Sequence, residues 1–356
     1  MIKSLYSQKL LALQGLRAYA AVLVVVAHAV LTFYKKVLGG DFGSMPAGTL
    51  GVKIFFLISG FIIYTTTKKL KQGVVSFRIF VIKRLIRILP LYYGATIIYY
   101  LKLSFQGVSV GYEQLILSFM FIPFVNHEGL MQPVLGQGWT LNFEMFFYTI
   151  FALTILVASQ WRLAFVSGVL GVFCLLSYFF PLSADSSDVL KSFYFYTDLN
   201  SLGYFVGGML VARLRMHFPS FGITNELSAM IVVFFVLSLF LFFYDDLLDS
   251  GVLVSAQIAV FGVVCFVTCV FVSDRASEEN LFTRFLHLCG DASYSIYLFH
   301  GFILGAVARL LTRLHIDFPM TVYVVMMVVI CLVFGMFTYR YVEKPLIRKL
   351  NSMFLI

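Results

Sequence analysis

The sequence contains 356 residues, of which 61% are hydrophobic and only 12% are charged, and its mean hydropathy is +0.94. Soluble domains carry about 25% charged residues, so this composition excludes an ordinary soluble protein and indicates a protein whose surface faces mostly lipid. The net charge of +9 comes from basic residues beside apolar segments, which indicates membrane topology and argues against nucleic-acid binding.

The apolar segments predict a polytopic membrane bundle. A transmembrane helix needs about 20 apolar residues, and about ten segments meet this requirement, which predicts an all-α fold. The connections between them are too short to fold as separate domains, so we expect one membrane domain over residues 1–356. The expected spans are 11–33, 47–66, 89–106, 136–158, 162–180, 194–212, 227–244, 251–273, 291–311 and 319–340.

The distribution of basic residues predicts the orientation of the bundle. If the amino terminus is inside the cell, most of the Lys and Arg residues fall in inner segments, and an acidic loop with Asp245, Asp246 and Asp249 falls outside. Cytoplasmic segments keep an excess of Lys and Arg, so we expect both termini to be cytoplasmic.

Ionisable side chains within the predicted spans are few. Each costs about 2.5 to 3.5 kcal/mol on insertion, so each needs a partner, a water-filled cavity or a functional role. The five cysteines lie in or beside apolar runs, so we predict neither a disulfide framework nor a metal site. The ionisable candidates are Arg17, His28, Lys53, Glu144, Asp198 and His300.

The first span carries Arg17 and His28 on one helical face. Eleven residues separate them, which corresponds to nearly three full turns and a rise of about 16 Å. The shared face predicts a polar cavity that leads from the cytoplasmic side towards the outer half of the membrane. Alternatively, Arg17 reaches the inner headgroups and His28 bonds to a backbone carbonyl.

The segment 77–90 predicts an amphipathic surface helix that runs into the third span. Arg84 and Arg87 lie three residues apart, so their guanidinium groups should face one side, in a geometry suited to phosphate oxygens. The alternative is that these residues anchor the segment to anionic membrane lipids.

Two later segments carry polar residues into the membrane. Trp139 suits the outer interface, and Glu144 lies about 7 Å deeper, with Tyr148 one turn below it on the same face. Glu144 either pairs with Lys53 or Arg17, or holds a proton or a sugar hydroxyl. Ser293, Tyr297 and His300 form a polar stripe that enters the ninth span, which predicts contact with a substrate or contact between helices.

Taken together, six segments resemble the acyltransferase 3 family of membrane acyltransferases. They extend over residues 13–346 in the family's order, and they are most similar to bacterial exopolysaccharide and O-antigen acetyltransferases. One departure is Lys53, at a position where family members often carry an acidic residue. The segments are LQGLRAYAAVLVVVAH at 13–28, GVKIFFLISGF at 51–61, RLIRILPLYY at 84–93, GWTLNFEMFFY at 138–148, SYSIYLFH at 293–300 and YVEKP at 341–345.

The resemblance implies transfer of an acyl group, usually acetyl from cytoplasmic acetyl-CoA, to a hydroxyl group of a lipid-linked or surface glycan. It further implies a multi-pass protein of the bacterial inner membrane with no permanently bound cofactor. Many family members also carry a soluble hydrolase-like domain, which this sequence lacks, so we expect it to act alone or with glycan-assembly partners.

Site roles follow from the resemblance together with the spacing. His28 is expected to act as general base or acyl relay, and Glu144 to orient His28 or to charge the acceptor site. The competing hypotheses are a glycan-lipid flippase with a His, Glu and Arg proton relay, and a non-catalytic scaffold. Residues expected to bind CoA phosphates are Arg17, Arg84 and Arg87, with Arg17 also assigned to catalysis; those expected on the acceptor side are Trp139, Ser293, Tyr297 and His300.

Overall fold

The structure, a computed structural model, is helical throughout the residues that it describes. Apart from an isolated β-bridge between Val125 and Met131, every regular element in those residues is a helix, which confirms the predicted all-α fold. The described residues are 10–40, 45–68, 70–126, 129–157, 159–182, 186–218, 251–271, 281–316 and 318–354. The α-helices are α1 (Leu10–Lys36), α2 (Pro46–Thr67), α3 (Val74–Phe105), α4 (Tyr112–Phe119), α5 (Trp139–Thr154), α6 (Arg162–Phe179), α7 (Asp188–Phe195), α8 (Leu199–His217), α9 (Gly251–Phe271), α10 (Leu281–Asp291), α11 (Ser293–Leu314), α12 (Met320–Thr338) and α13 (Lys344–Phe354).

Within the part of the chain that the structure describes, five helical segments are long and apolar enough to cross a membrane, judged by length and composition. The predicted span 227–244 lies outside the described residues. The total of ten spans and the cytoplasmic location of both termini therefore stay predictions. The five segments are Leu13–Lys36, Pro46–Thr67, Ser159–Phe179, Ser293–Leu314 and Met320–Phe354.

Two predicted spans differ in length from the helices observed. α3 is one continuous helix of 32 residues, so the predicted surface segment 77–90 and the span 89–106 form a single element. Pro90 lies inside α3 without ending it, because neighbouring groups in membrane helices can satisfy the backbone carbonyl that proline leaves without a donor. α5 has only 16 residues, because a 3₁₀ turn at Gly136–Gly138 occupies the start of the predicted span and the helix ends at Thr154, before the predicted end at residue 158.

The chain divides into two compact units. Unit 1 consists of Met1–Phe61 and Val211–Tyr339, and unit 2 consists of Ile62–Leu210 and Arg340–Ile356. Unit 1 therefore contains α1, most of α2 and α9 to α12. Unit 2 contains α3 to α7, most of α8 and α13. The single membrane domain expected from the sequence stays a prediction.

In unit 1, α1 is the helix around which the others pack. It contacts α9, α10, α11 and α12. Ala21, Val25 and Ala29 lie on one face of α1, because residues four apart share a helical face. They form a buried cluster with residues of α11 and α12, including Ile296 and Met327. This packing fixes the helix that carries two of the predicted site residues.

Small residues let α2 approach α1 closely. A Cβ atom at Gly51 would lie 2.6 Å from the backbone oxygen of Ala20 and 2.8 Å from a methyl carbon of Val24. A Cβ atom at Gly48 would lie 3.1 Å from the Cβ atom of Ala27. Small residues at helix interfaces allow such contacts within membranes. The position of α1 in unit 1 thus depends on glycine in α2.

We expect Gly51→Ala to lower the free energy of unfolding by about 1 to 3 kcal/mol, because the new methyl group would push a backbone oxygen away. Gly94→Ala on α3 is the matched control, since its Cβ atom would meet nothing within 4 Å and alanine favours the helix. The midpoints of thermal unfolding in detergent measure the difference. Equal midpoints for the two variants would contradict the close approach.

In unit 2, stacked aromatic rings join α5 to its neighbours. Phe143 stacks on Phe195 of α7, with ring centroids 4.4 Å apart. Phe147 stacks on Phe205 of α8, with ring centroids 4.3 Å apart. Stacked pairs contribute about 0.5 to 1.5 kcal/mol beyond their buried area, so these contacts fix the helix that carries Glu144.

Candidate functional site

His28 combines a fixed ring with an open face. Its neighbours Ala27 and Ala29 are buried, whereas the His28 side chain is exposed. Nδ1 of His28 lies 2.9 Å from the carbonyl oxygen of Val24, one turn earlier in α1. A carbonyl oxygen only accepts, so Nδ1 carries the proton and donates it, which leaves the lone pair of the neutral ring on Nε2. The carbonyl contact that was the alternative for His28 is therefore present, and it produces the tautomer that a base needs.

His300 lies directly against His28. The two ring centroids are 4.8 Å apart, with the ring planes tilted by 59°. The His300 side chain is 0% exposed, and its Nδ1 lies 2.5 Å from the carbonyl oxygen of Tyr297. Among the described residues, its Nε2 has no hydrogen-bond partner. The structure thus brings together two histidines that lie far apart in the sequence.

The predicted polar stripe of α11 is present on one face of that helix. Ser293 lies seven residues, or nearly two turns, before His300, and Tyr297 lies between them. All three side chains are buried. The Tyr297 ring contacts the ring of His300 at 5.8 Å and that of Phe55 on α2 at 6.2 Å, measured between centroids. The acceptor-binding role of this stripe stays a prediction.

Arg17 takes part in a polar chain between α1 and α10. Its Nη1 donates to Oε1 of Gln14 at 3.3 Å, and Nε2 of Gln14 donates to Oδ1 of Asp291 at 2.8 Å. By the rise of α1, Arg17 lies about 16 Å from His28. This distance suits a residue that binds the far end of a long acyl-donor molecule better than a residue that touches the reacting atoms.

In unit 2, a chain of contacts links Arg84 to Glu144. The hydroxyl group of Tyr148 donates to Oε1 of Glu144, one turn earlier in α5. The guanidinium carbon of Arg84 lies 5.4 Å from the ring centroid of Tyr148 and 5.4 Å from that of Phe80. Tyr148 therefore contacts both a residue predicted to bind the donor and a residue predicted to act in catalysis.

Arg87 forms an ion pair with Glu343, at the end of the π-helical turn Tyr339–Glu343. Its Nη1 lies 2.5 Å from Oε1 of Glu343, whose side chain is 1% exposed, whereas that of Arg87 is 32% exposed. Arg84 and Arg87 thus have different protein partners, although both lie on α3. Sequence reasoning missed Glu343, and the signal that could have found it is the acidic residue in the YVEKP segment.

A second residue that sequence reasoning missed is Asn142 in α5. Its side chain is fully buried, and neither amide atom has a hydrogen-bond partner among the described residues. Asn142 carries no charge, so a search for ionisable groups passes over it.

Trp139, at the start of α5, is half-buried and contacts Phe143, with ring centroids 6.0 Å apart.

The predicted site residues fall into two sets. Glu144 contacts Tyr148 within unit 2, and its predicted pairing with Lys53 or Arg17 and its predicted action on His28 stay predictions. Lys53 is buried in α2. Unit 1 contains Arg17, His28, Ser293, Tyr297 and His300, and unit 2 contains Arg84, Arg87, Trp139 and Glu144.

Comparison with known proteins identifies the family. Residues 10–340, which are nearly the whole chain, match the sequence profile of the acyltransferase 3 family, which describes an acyltransferase domain. The chain belongs to the acyltransferase 3 family. The acyltransferase is 32% identical over 311 residues to the exopolysaccharide production protein ExoZ of Rhizobium meliloti (strain 1021), covering 85% of the chain and 90% of ExoZ.

Two further relatives are longer proteins. YrhL of Bacillus subtilis (strain 168), named as a candidate peptidoglycan O-acetyltransferase, is 26% identical over 369 residues, and SACOL0978 of Staphylococcus aureus (strain COL), named as a candidate O-acetyltransferase, is 26% identical over 371 residues. The alignments cover 94% of the acyltransferase but only 54% and 56% of those relatives. The comparison with solved structures finds no match. The predicted family and the predicted class of enzyme, an O-acyltransferase, are confirmed.

Proposed function

We propose that this acyltransferase is an O-acetyltransferase of the bacterial inner membrane. In this proposal it transfers acetyl from cytoplasmic acetyl-CoA to a hydroxyl group of an exopolysaccharide or of a lipid-linked precursor. The family supports acyl transfer, and the name of ExoZ supports a polysaccharide acceptor. The observation that carries the proposal is the His28 ring, with Nδ1 held by the Val24 carbonyl and with an exposed side chain.

The reaction needs one group that takes a proton and returns it. Nε2 of His28 removes the hydroxyl proton while the hydroxyl oxygen bonds to the thioester carbon. The carbon–sulfur bond then breaks, and the CoA thiolate takes the proton from His28, so the base is restored. Transient transfer of the acetyl group to Nε2 is the alternative route, because the same lone pair is a nucleophile.

The donor is anionic, and three arginines are proposed to bind its phosphate groups. Arg84 and Arg87 lie on α3 close to the end of that helix that is expected to be cytoplasmic, and Arg17 lies near the end of α1 that is expected to be cytoplasmic. Guanidinium groups bind phosphate oxygens through paired hydrogen bonds. About a third of the Arg87 side chain is exposed beside Glu343, which leaves part of the guanidinium group open to hydrogen bonds with a phosphate group.

The acceptor is proposed to approach His28 from its exposed side. Trp139, which is half-buried, is proposed to contact it. Ser293 and Tyr297 are buried, so they are proposed to support the acceptor side from within α11, and Glu144 is proposed to polarise the acceptor or to orient the base. The hydrogen bond from Tyr148 supports a Glu144 carboxylate that is held in one orientation. Glycan-assembly proteins are the proposed partners, since they would deliver the acceptor.

Purified protein in liposomes tests the proposed function. We expect it to release free CoA from acetyl-CoA and to esterify a glycan fraction extracted from cells that lack the gene. NMR spectra of glycan from wild-type cells and from cells that lack the gene then identify the sugar hydroxyl, because the O-acetyl signals are expected only in the wild-type glycan. Movement of the glycan lipid across the bilayer without acetyl-CoA would instead support a flippase, and absence of CoA release with all fractions would refute acetyl transfer.

A further inference from the structure

His300 is unsuited to direct contact with a glycan. Its side chain is 0% exposed, so no acceptor hydroxyl reaches it in this arrangement. Its nearest functional neighbour is His28, at 4.8 Å between ring centroids. A buried polar ring is expected to have a structural or a chemical reason for its position, because burial of an unsatisfied acceptor is unfavourable.

The His300 ring is itself held in place. Its Nδ1 donates to the carbonyl oxygen of Tyr297, 2.5 Å away and one turn earlier in α11. The Tyr297 ring contacts both His300 and Phe55 of α2. On the other side, α12 approaches this turn so closely that a Cβ atom at Gly335 would meet Ile296. The ring therefore forms a fixed wall beside His28.

We infer that His300 is a positioning residue, which holds the His28 ring so that Nε2 faces the exposed side. This inference rests on the proposed function of His28. On one side, the Val24 carbonyl fixes the proton on Nδ1 of His28. On the other side, the flat ring of His300 limits rotation of the His28 side chain. A base that is held in its reactive orientation loses no rate to unproductive rotamers, and small misplacements in active sites can cost about 10²-fold in rate.

Three substitutions at His300 test the inference in liposomes, with kcat and both KM values as the readouts. His300→Phe keeps the flat ring, His300→Leu keeps much of the volume, and His300→Ala removes both. We expect kcat to fall by about 10- to 100-fold for Ala and by a smaller factor for Leu, with KM for acetyl-CoA and for the glycan fraction nearly unchanged. His300→Phe should restore most of kcat.

The matched control is Leu298→Ala, which removes another fully buried side chain from α11, two residues before His300 and therefore on another face. It should leave kcat within about threefold of the wild-type value, since it leaves the rings beside His28 in place. An equal loss of kcat in Leu298→Ala would overturn the inference, because general loosening of α11 would then explain the effect. If His300→Ala does not fold, the kcat values of His300→Phe and His300→Leu are compared instead, and the Phe variant should be the faster one.

Three other outcomes would also overturn it. A higher KM for the glycan with unchanged kcat would return His300 to acceptor binding. A His300→Phe variant as slow as the Ala variant would assign the effect to a ring nitrogen, and full activity in all three variants would remove His300 from the reaction. Failure of the wild-type protein to release CoA would instead refute the proposed function, so the two failures are distinguishable.

Discussion

His28→Ala is expected to lower acetyl transfer by about 10²- to 10⁴-fold, the range that removal of a general base produces. The side chain would lose Nε2, the one basic lone pair that the Val24 contact leaves available on this ring. His28→Asn is a sharper variant, because its amide group can still donate to the Val24 carbonyl but is not a base at neutral pH. Both variants should be nearly inactive.

The measurement is the initial rate of CoA release in liposomes, normalised to the amount of inserted protein. Val26→Ala is the matched control, since Val26 lies in the same helix two residues away and therefore on another face. It should keep nearly full activity. Retention of more than about a tenth of the wild-type rate in His28→Asn would remove the imidazole from the proton transfer.

Arg87→Ala is expected to have the largest effect on stability among the arginine variants. It leaves the Glu343 carboxylate, which is 1% exposed, without this guanidinium group. Removal of one partner from a buried pair costs about 3 to 5 kcal/mol, and the lower end applies because Arg87 is partly exposed. Glu343→Gln should cost less, since the guanidinium group that remains can turn towards water.

Thermal unfolding of the two variants and of the double variant gives the interaction energy of the pair. Arg78→Ala on the same helix is the control, because its side chain is exposed. Arg87→Ala should also raise the KM for acetyl-CoA, and more so when combined with Arg84→Ala, whereas Glu343→Gln should not raise it. Equal destabilisation by Arg87→Ala and Glu343→Gln would contradict the expectation that loss of the arginine costs more than loss of the carboxylate charge. An unchanged KM for acetyl-CoA in the variant that combines Arg84→Ala with Arg87→Ala would return both arginines to a topological role.

Sequence periodicity predicted what lies along single helices. It placed Ser293, Tyr297 and His300 on one face of α11, and it placed Tyr148 one turn from Glu144, where the hydrogen bond is found. Helical spacing defines these relations, so they need no knowledge of packing. The all-α fold followed from composition for a similar reason, because helices satisfy their own backbone groups within lipid.

Contacts between helices could not be predicted in this way. Arg87 and Glu343 are 256 residues apart, and nothing in the period of α3 identifies a partner in a later turn. The contact of His28 with His300 likewise depends on how α11 packs against α1. Spacing placed Arg84 and Arg87 near one another, but the partners that each guanidinium group finds were decided by tertiary packing.

If the proposed reaction holds, the tautomer of His28 limits the shape of a useful inhibitor. Because the Val24 carbonyl occupies the Nδ1 edge, compounds that imitate both substrates at once gain nothing from groups directed at that edge. They should instead present a tetrahedral carbon with a hydrogen-bond donor to the Nε2 edge, with the pantetheine chain leading away on one side and a sugar on the other. Compounds built on a CoA fragment alone would leave the imidazole without a ligand and should bind more weakly.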